Sequence, residues 1–276
     1  MVRTIMIGDV VGEPGLTALE RELPSLIREY KADFVVVNGE NAADGFGMTG
    51  QTLNRILQSG ADVVTSGNHV WEEREFWSVL ENDERVLRPA NYPPGIPGRG
   101  WLKTRKNGVF WLVINLQGRD KMKSIDCPFR TFDAIFSARG DTVPERHKIY
   151  EMPYPPFITL IDFHAESTKE KEALGFYLGA RASVIVGTHT HVQTADNRVL
   201  PGGAAYITDI GMTGVQNSVI GMDTRICVDR AVKQVLYHME CAQGEGSVQG
   251  VVAEIDENTG KALSIKRIGH TASERD

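Results

Sequence analysis

The chain of 276 residues is 41% apolar and 24% charged, an ordinary globular composition that can bury a large core. Its formal net charge of −6 argues against general nucleic-acid binding, which normally requires a basic face. No segment approaches the ~20 apolar residues of a membrane span, and the N-terminal apolar run is too short for a signal peptide, so we expect a cytoplasmic protein.

The first 80 residues alternate between strand and helix. Continuous apolar runs predict buried strands, and the amphipathic segments between them predict helices. The predicted strands are 4–10, 33–40 and 62–68, and the predicted helices are 16–30, 49–60 and 70–80. This alternation is typical of βαβ units, whose parallel strands end at one edge of the sheet, where ligands bind.

The rest of the chain contains more strands and a less regular middle part. Strands are predicted at 101–104, 109–116, 157–165 and 183–189, with a strand and turn at 204–214 and a hairpin at 251–268. Helices are predicted at 129–139, up to about residue 180, and at 223–238. Residues 117–156 are interpreted as a small lid. Because no repeat or flexible linker interrupts the pattern, we predict a single domain over 1–276.

The three cysteines are Cys127, Cys227 and Cys241. Their odd number and the lack of CxxC spacing argue against a disulfide framework and against a cysteine-ligated zinc site. We therefore predict that they serve as small buried apolar side chains.

Polar clusters follow several of the apolar runs, each at the predicted end of a strand. The segments are GDVVG at 8–12, NGENAAD at 38–44, GNH at 67–69, DFHAE at 162–166 and GTHTH at 187–191. One such cluster alone is more often a helix cap or a hydrogen-bonded core residue, but several at one edge indicate a site. The candidate ligands are Asp9, Glu40, Asn41, Asn68, His164, His189 and His191, and His69 lies beside Asn68.

The donor types suggest the chemistry of the site. Carboxylate, amide and imidazole donors without a thiolate suit manganese, iron or zinc, and argue against a structural zinc site. About seven donors are too many for one ion and fit two, with the two oxygens of Glu40 as a bridge. Two ions about 3.5–4 Å apart activate a water molecule and stabilise an in-line displacement at phosphorus. Their charge exceeds that of the carboxylates, which favours an anionic phosphate substrate.

On these segments the chain resembles the calcineurin-like metallophosphoesterases, whose pattern runs D-x-H, G-D-x-x-D, G-N-H-[ED], a lone H and G-H-x-H. The resemblance spans residues 7–191. Val11 stands at the histidine of D-x-H, Glu40 replaces the bridging aspartate, Val70 follows GNH instead of an acid, and Thr188 replaces the glycine of G-H-x-H. These departures match a narrower branch, the YmdB-like phosphoesterases, which resemble the chain over its whole length and open with the same GDVVG, NGENAA and GNHVW strings.

The resemblance implies an α/β fold of four layers, α-β-β-α, with mixed central sheets. It also implies a cytosolic phosphodiesterase acting on cyclic nucleotides, including 2′,3′-cyclic nucleotides such as 2′,3′-cAMP. A metal-held hydroxide would attack phosphorus, while His69 would bind no metal and would protonate the departing oxygen. The implied ligands are Asp9, Glu40, Asn41 and His191 for the first ion, and Glu40, Asn68, His164 and His189 for the second.

Two details of this assignment lead to further expectations. Loss of the D-x-H histidine replaces an imidazole by an amide oxygen, which favours iron or manganese over zinc. The adjacent Asn68 and His69 both reach the site only if the strand breaks, which Gly67 permits. His189 and His191 should face one side of an extended segment, with each second ring nitrogen bound to a backbone carbonyl.

Substrate contacts are expected from the RPANYP loop at 88–93 and from the end of the strand near residue 116. Asn91, Tyr92 and Arg119 are therefore candidates to touch base or phosphate, and the alternative is an exposed loop with a solvated arginine. The glycine-rich segment DGFGMTG at 44–50 could cradle phosphate or only form the turn into the next helix.

Other functions remain open from the sequence. The same site could hydrolyse phosphomonoesters, or the chain could be a metal-bound signalling protein with incidental hydrolysis, against which an intact His69 argues. A Rossmann dinucleotide binder fits the alternating elements, but GDVVGEPG at 8–15 lacks the GxGxxG spacing. Acidic α/β chains often form homo-oligomers, and a homo-oligomer is therefore an expectation for this chain.

Overall fold

The structure is a computed structural model that describes residues 1–138 and 157–269. The helices within these ranges are α1 (Gly12–Tyr30), α2 (Gly50–Gln58), α3 (Phe76–Asn82), α4 (Pro128–Ala138), α5 (Thr168–Leu178) and α6 (Thr224–Lys233). The strands are β1 (Val2–Ile7), β2 (Asp9–Val10), β3 (Phe34–Asn38), β4 (Val63–Thr65), β5 (Trp101–Lys106), β6 (Val109–Gln117), β7 (Ile158–His164), β8 (Val184–Thr188), β9 (Arg198–Val199), β10 (Ala205–Ile207), β11 (Met212–Thr213), β12 (Gln249–Ile255) and β13 (Ala262–Gly269).

Two mixed sheets form the centre of the molecule. The first has the order β13-β12-β1-β3-β4, in which β1, β3 and β4 are parallel, as the βαβ pattern predicts. The second has the order β5-β6-β7-β8-β10-β9, with β6, β7, β8 and β10 parallel and the two outer strands antiparallel. The parallel strands of each sheet therefore end at a common edge.

Three apolar clusters define the layers. Met6 of β1 and Trp111 of β6 belong to a cluster between the two sheets. Leu19 of α1 belongs to a second cluster on the outer face of the first sheet, and Phe132 of α4 and Leu174 of α5 belong to a third on the outer face of the second. The order is helix, sheet, sheet, helix, which confirms the predicted four-layer α/β fold. The β3 strand is buried along its whole length, as strands covered on both faces must be.

Most predicted elements are confirmed, with shifted ends. Thr49 caps α2 with its side chain, which accepts a hydrogen bond from the backbone N–H of Thr52. The hairpin of β12 and β13 is confirmed, with ENTG in its turn. The first predicted strand is interrupted at Gly8: β1 ends at Ile7, and Asp9–Val10 form β2, which pairs with β11. Glycine is required at position 8, because a Cβ there would lie 2.0 Å from the carbonyl oxygen of Gly211.

Some predicted boundaries are wrong. Residues 70–75 form turns, and α3 begins only at Phe76. The helix predicted at 223–238 ends at Lys233, because Gln234 adopts a left-handed conformation with φ 56°. Within the predicted lid 117–156, α4 packs on the second sheet, and residues 139–156 lie outside the described residues.

The cysteines differ from expectation in their burial. Cys127, Cys227 and Cys241 are free thiols, and each is partly exposed rather than buried. Cys227 and Cys241 pack beside a small cluster that includes Met222. In the described ranges, the helices are too short or too polar to span a bilayer.

Candidate metal centre and its cavity

The strand ends deliver the predicted ligands to one place. Asp9 follows β1, Glu40 follows β3, and Asn68 follows β4. In the second sheet, His164 is the last residue of β7 and His189 follows β8 directly. The facing edges of the two sheets therefore each contribute donors to the same site.

His164 lies at the centre of the tightest group. Its Nε2 atom is 2.9 Å from Glu40 Oε1, 3.0 Å from Asn68 Oδ1 and 3.0 Å from His189 Nδ1. Glu40, His164 and His189 offer donor atoms that all lie within 4.8 Å of one another, which is the spacing of a metal site. This group corresponds to the ligand set predicted for the second ion.

Asp9 and His191 form the adjoining group. Asp9 Oδ2 accepts a hydrogen bond from the backbone N–H of His189 at 3.0 Å and lies 3.9 Å from His191 Nε2. Asp9 Oδ1 is 3.8 Å from His164 Nδ1. Asp9 thus connects the strand end after β1 to both histidines of the GTHTH segment.

The buried polar atoms at this site fit a cation. Asp9 Oδ1 and Asn41 Oδ1 are buried and have no hydrogen-bond partner among the described residues. Asn41 Nδ2 donates to the carbonyl oxygen of Gly45 at 2.7 Å, which leaves its amide oxygen as the free donor atom. Asp9 and Glu40 are 0% and 1% exposed, and within the described ranges their ion-pair partners are histidines. Buried carboxylates in such surroundings require a positive charge, and divalent metal ions supply it.

The pKa values of the cluster show the same competition for positive charge. Burial raises the pKa of Asp9 to about 7, although His191 and His164 oppose this. Burial also acts to raise the pKa of Glu40, but the charge and hydrogen bond of His164 outweigh it and lower that pKa to about 2. Burial acts to lower the pKa of His164, but Glu40 outweighs it and raises that pKa to about 9. Burial and the charge of His164 lower the pKa of His189 to about 3. A cation held by these residues would satisfy both carboxylates and would favour the imidazoles as neutral donors.

A buried hydrogen-bond chain fixes the ring of His164. Thr188 Oγ1 donates to Asp162 Oδ1 at 2.7 Å and lies 2.9 Å from His164 Nδ1. Because the hydroxyl gives its one proton to the carboxylate, it accepts from Nδ1–H. The neutral form of the ring therefore carries its proton on Nδ1 and leaves Nε2 as the atom that would bind a metal. The carboxylate of Asp162 also accepts from Asn38 Nδ2 at 2.9 Å. This series of hydrogen bonds favours the His164 tautomer with the proton on Nδ1, which is the tautomer that a metal ligand bound through Nε2 needs.

The other two ring orientations are set differently. His191 Nδ1 lies 2.8 Å from the carbonyl oxygen of Ile220, as the expectation of a backbone partner requires. His189 Nε2 instead lies 3.3 Å from the carboxylate of Glu166, so the expected carbonyl is replaced by an acid. These contacts leave His191 Nε2 directed towards Asp9 and His189 Nδ1 directed towards His164.

The extended conformation ends with β8 at Thr188, so the prediction that His189 and His191 lie on an extended segment is wrong. His189 and His191 have φ values of 98° and 62°, a region that residues with a Cβ rarely adopt. Thr190 between them is held by Asp209, whose Oδ2 accepts from Thr190 Oγ1 at 2.7 Å and from Lys171 Nζ at 2.8 Å. The buried Lys171–Asp209 ion pair therefore stabilises the turn that presents both histidines.

Gly67 is required for close packing rather than for backbone freedom. Its φ is not in the left-handed region. A Cβ at this position would lie 2.2 Å from Glu40 Oε2 and 2.3 Å from His164 Nε2. Strand β4 ends at Thr65, before Gly67. Because Gly67 has no side chain, Glu40 and His164 can lie against its backbone beside Asn68.

His69 lies beside the ligand group without belonging to it. Its backbone N–H donates to Glu40 Oε2 at 3.2 Å, and its Nδ1 is 3.4 Å from Glu72 Oε1. The ring packs edge to face on Phe46, with centroids 5.1 Å apart. Its side chain is 25% exposed, unlike that of His164 at 0%. A partly exposed imidazole next to the cluster has access to a bound substrate.

A cavity of 530 Å³ opens beside the cluster. This volume is within the range of about 300–1,000 Å³ that small-molecule sites occupy. One side of the cavity consists of predicted site residues, namely Glu40, Asn41, His69, His189 and His191. Phe46 of the glycine-rich DGFGMTG segment also lines it.

The predicted substrate contacts lie outside this lining. Asn91 is buried, and its amide bonds to the backbone of Gln117 and Asp126 at 2.8 to 2.9 Å, which is a structural role. Tyr92 packs edge to face on Trp71. Arg119 is exposed, and its guanidinium donates to Cys127 Sγ at 3.3 Å.

Several residues that hold the candidate ligands in position were not identified from the sequence. Asp162 precedes His164 by two positions in β7, and this spacing places both on one face of a strand, so the signal was present. Asp209 and Lys171 had no such signal, because each lies far along the chain from the turn that they hold.

The two stacked mixed sheets, with carboxylate, amide and imidazole donors at their strand ends and a cavity beside them, define the metallophosphoesterase class. The model of the YmdB-like protein family matches residues 5–268, so the chain belongs to that family, as the motifs predict.

Similar proteins agree with this class. The 2′,3′-cyclic-nucleotide 2′-phosphodiesterase of Bacillus subtilis is 43% identical over 267 residues, covering 97% of this chain and 96% of the relative. A crystal structure described as a novel phosphatase from Mycoplasma pneumoniae superposes with a TM-score of 0.87 at 30% identity, covering 98% of this chain and 93% of that one. A 5′-nucleotidase precursor from Thermus thermophilus, at a TM-score of 0.56 and 12% identity, shares the fold over 97% of this chain and 54% of its own length. The chain is a phosphoric ester hydrolase with a candidate site for metal ions.

Proposed function

We propose that this enzyme is a two-metal phosphodiesterase that hydrolyses cyclic nucleotides, with 2′,3′-cyclic nucleotides such as 2′,3′-cAMP as the leading substrates. The observation that carries the proposal is the position of His69, which lies against the ligand cluster, contacts Glu40 through its backbone, and faces the cavity with its ring. A protein that only binds metal has no evident use for such a group.

The ions are assigned to two donor groups that share Glu40. Glu40 directs Oε1 towards His164 and Oε2 towards the backbone of His69, so its two oxygens face different neighbours. Oxygen donors from aspartate, glutamate and asparagine favour iron or manganese over zinc. The first ion is assigned to Asp9, Glu40, Asn41 and His191, and the second to Glu40, Asn68, His164 and His189. When bound, two ions act as Lewis acids that acidify water and offset charge at phosphorus.

His69 is the proposed general acid. During hydrolysis, water adds to phosphorus, the bond from phosphorus to one ribose oxygen breaks, and that oxygen takes up a proton. Glu72 lies near Nδ1 of the ring, so Nε2 is the nitrogen that delivers this proton. The proton that the water loses balances the one that His69 donates, and exchange with solvent restores the imidazolium.

The substrate class is supported by the Bacillus subtilis relative, which is named for 2′,3′-cyclic nucleotides and covers nearly the whole chain. A second candidate, phosphomonoester hydrolysis, is favoured by the Mycoplasma pneumoniae neighbour, which is described as a phosphatase. The donor set alone does not separate the two reactions, because both require the same displacement at phosphorus.

A parallel assay separates these candidates. Purified enzyme is tested on 2′,3′-cyclic AMP, bis-p-nitrophenyl phosphate and p-nitrophenyl phosphate, and its metal content is measured after expression without added metal. We expect hydrolysis of both diesters, with weak or absent release from the monoester, in protein that contains iron or manganese. Hydrolysis of the monoester alone would replace the phosphodiesterase by a phosphatase. Protein active with zinc as its only metal would contradict the metal assignment.

A further inference from the structure

The cavity has a second wall that contributes no donor to the metal site. It consists of residues from α6 and its flanking loops, and its main members are Ile220, Met222, Arg230, Val235, Leu236 and Met239. Apart from Arg230 these side chains are apolar. Cys227 and Gln234 also line this side, so the cavity is polar on the side of the strand ends and mainly apolar on the side of α6.

Met222 belongs to a small core cluster, but the part of this wall formed by α6 and the loop after it is not part of the folding core. Among the described residues, none of the side chains of α6 is buried. Leu236 is 87% exposed and Val235 is 50% exposed. Apolar side chains that stay in water beside a catalytic cavity gain their stabilisation only when a ligand covers them.

The wall is nevertheless held in a defined position. Arg230 Nη1 donates to the carbonyl oxygen of Tyr237 at 2.9 Å, which ties the loop after α6 back to the helix. Met239 and Phe46 both pack beside the cluster of Val11, Met212 and Met222. The apolar surface thus continues through Phe46 up to the ring of His69.

We propose that this α6 wall binds the nucleobase of the substrate while the phosphate lies at the strand-end cluster. The inference rests on the proposed function, because it assigns the second half of the same cavity. A nucleoside cyclic phosphate has one anionic end and one flat, largely apolar end, and the cavity is divided in the same way. Arg230 is the one lysine or arginine that lines the cavity within the described ranges, and its charge favours an anionic ligand.

The composition of the wall also predicts how selective it is. Contact with apolar side chains accepts every base, because each base offers a similar flat, largely apolar face. We therefore expect a requirement for a base without strong choice among bases, with purines favoured over pyrimidines by their larger area.

The test uses two ligands that differ in the base. Dissociation constants of adenosine 3′-monophosphate and glycerol 1-phosphate are measured by calorimetry on metal-loaded protein. The variant combines Leu236→Ser with Met239→Ala, and Val232→Ala is the matched control. Val232 is 75% exposed on α6 and is absent from the cavity lining. Thermal melting verifies that all three proteins are folded.

We expect the wild type and the control to bind the nucleotide roughly tenfold more tightly than glycerol phosphate, an effect that burial of about 55 Å² of apolar surface would produce. The double variant should lose that preference and keep its affinity for glycerol phosphate. A double variant that retains the preference, or that binds both ligands equally less well, would overturn the assignment of the wall. Parallel assays on 2′,3′-cyclic AMP and glycerol 1,2-cyclic phosphate separate the two proposals. Wild type inactive on both diesters would refute the phosphodiesterase, whereas the binding preference still decides about the wall.

Discussion

The two sides of the cavity differ in how their side chains are held. On the strand-end side, Asp9, Glu40 and His164 are 0 to 1% exposed and contact one another or a supporting side chain. On the α6 side, Leu236 is 87% exposed and contributes to no core cluster in the described part of the chain. The difference fits the two proposed roles: side chains that hold ions need fixed distances, whereas side chains that contact a base need only present a surface.

The largest effect is expected at His69, which lies where the strand-end side of the cavity meets the α6 side. His69→Ala should lower turnover of 2′,3′-cyclic AMP by about 10²–10⁴-fold, the usual contribution of a general acid, while metal content stays unchanged. Steady-state kinetics and elemental analysis of the same sample measure both quantities. His238→Ala, which alters an exposed histidine outside the cavity lining, is the control and should retain full turnover. A variant at His69 with normal turnover would remove it from catalysis.

On the strand-end side, the close packing around Gly67 should not tolerate the methyl group that an alanine adds. Gly67→Ala places a Cβ within 2.2 to 2.3 Å of Glu40 and His164, so these ligands must separate. We expect metal affinity to fall by about 100-fold, the upper end of what the loss of a supporting contact costs. Gly50→Ala is the matched control, since the nearest atom to its Cβ is 3.6 Å away. Equal metal affinities in the two variants would show that the ligands are not fixed as described.

A smaller effect is expected from the support of His164. Thr188→Val removes the hydroxyl that joins His164 to Asp162, so the ring loses its preferred tautomer. Metal affinity should fall by about tenfold, as measured by titration with a competing chelator. Thr159→Val makes the same substitution at a buried hydroxyl that has no partner in the described ranges, and it should leave the affinity unchanged. A loss of affinity in both variants would point to a general packing effect.

The smallest effect concerns stability on the α6 side. Leu236→Ser should change the free energy of unfolding by less than about 0.5 kcal/mol, because the side chain is already in water. Leu19→Ala, at a fully buried position, should cost about 2–5 kcal/mol. Chemical denaturation measures both changes. A large destabilisation by Leu236→Ser would mean that the wall belongs to the core after all.

Much of the fold was predictable because its buried strands are continuous apolar runs in the sequence and the segments between them are amphipathic helices. The run of β3 and the capped helix α2 are examples in which local sequence decides the element. The end of α6 was not predictable, because residues 234–238 continue an apolar pattern. The structure ends the helix at a left-handed Gln234 and returns the loop to Arg230.

The candidate site likewise has a part that the sequence predicts and a part that it does not. The convergence of its candidate ligands was predictable because they follow strands, and parallel strands end together. The way in which His189 and His191 are presented was not, because their left-handed backbone depends on Asp209 and Lys171, which lie elsewhere in the chain. The α6 wall was missed because exposed apolar residues have no periodic signature that distinguishes them from a helix face.

The most direct test of the account is anomalous diffraction from crystals of the manganese-loaded protein. We predict two peaks roughly 3.5–4 Å apart, the spacing of two-metal hydrolases. One peak should lie among Asp9, Asn41 and His191, the other among Asn68, His164 and His189, with the carboxylate of Glu40 between them. A single peak, or peaks away from these side chains, would contradict it.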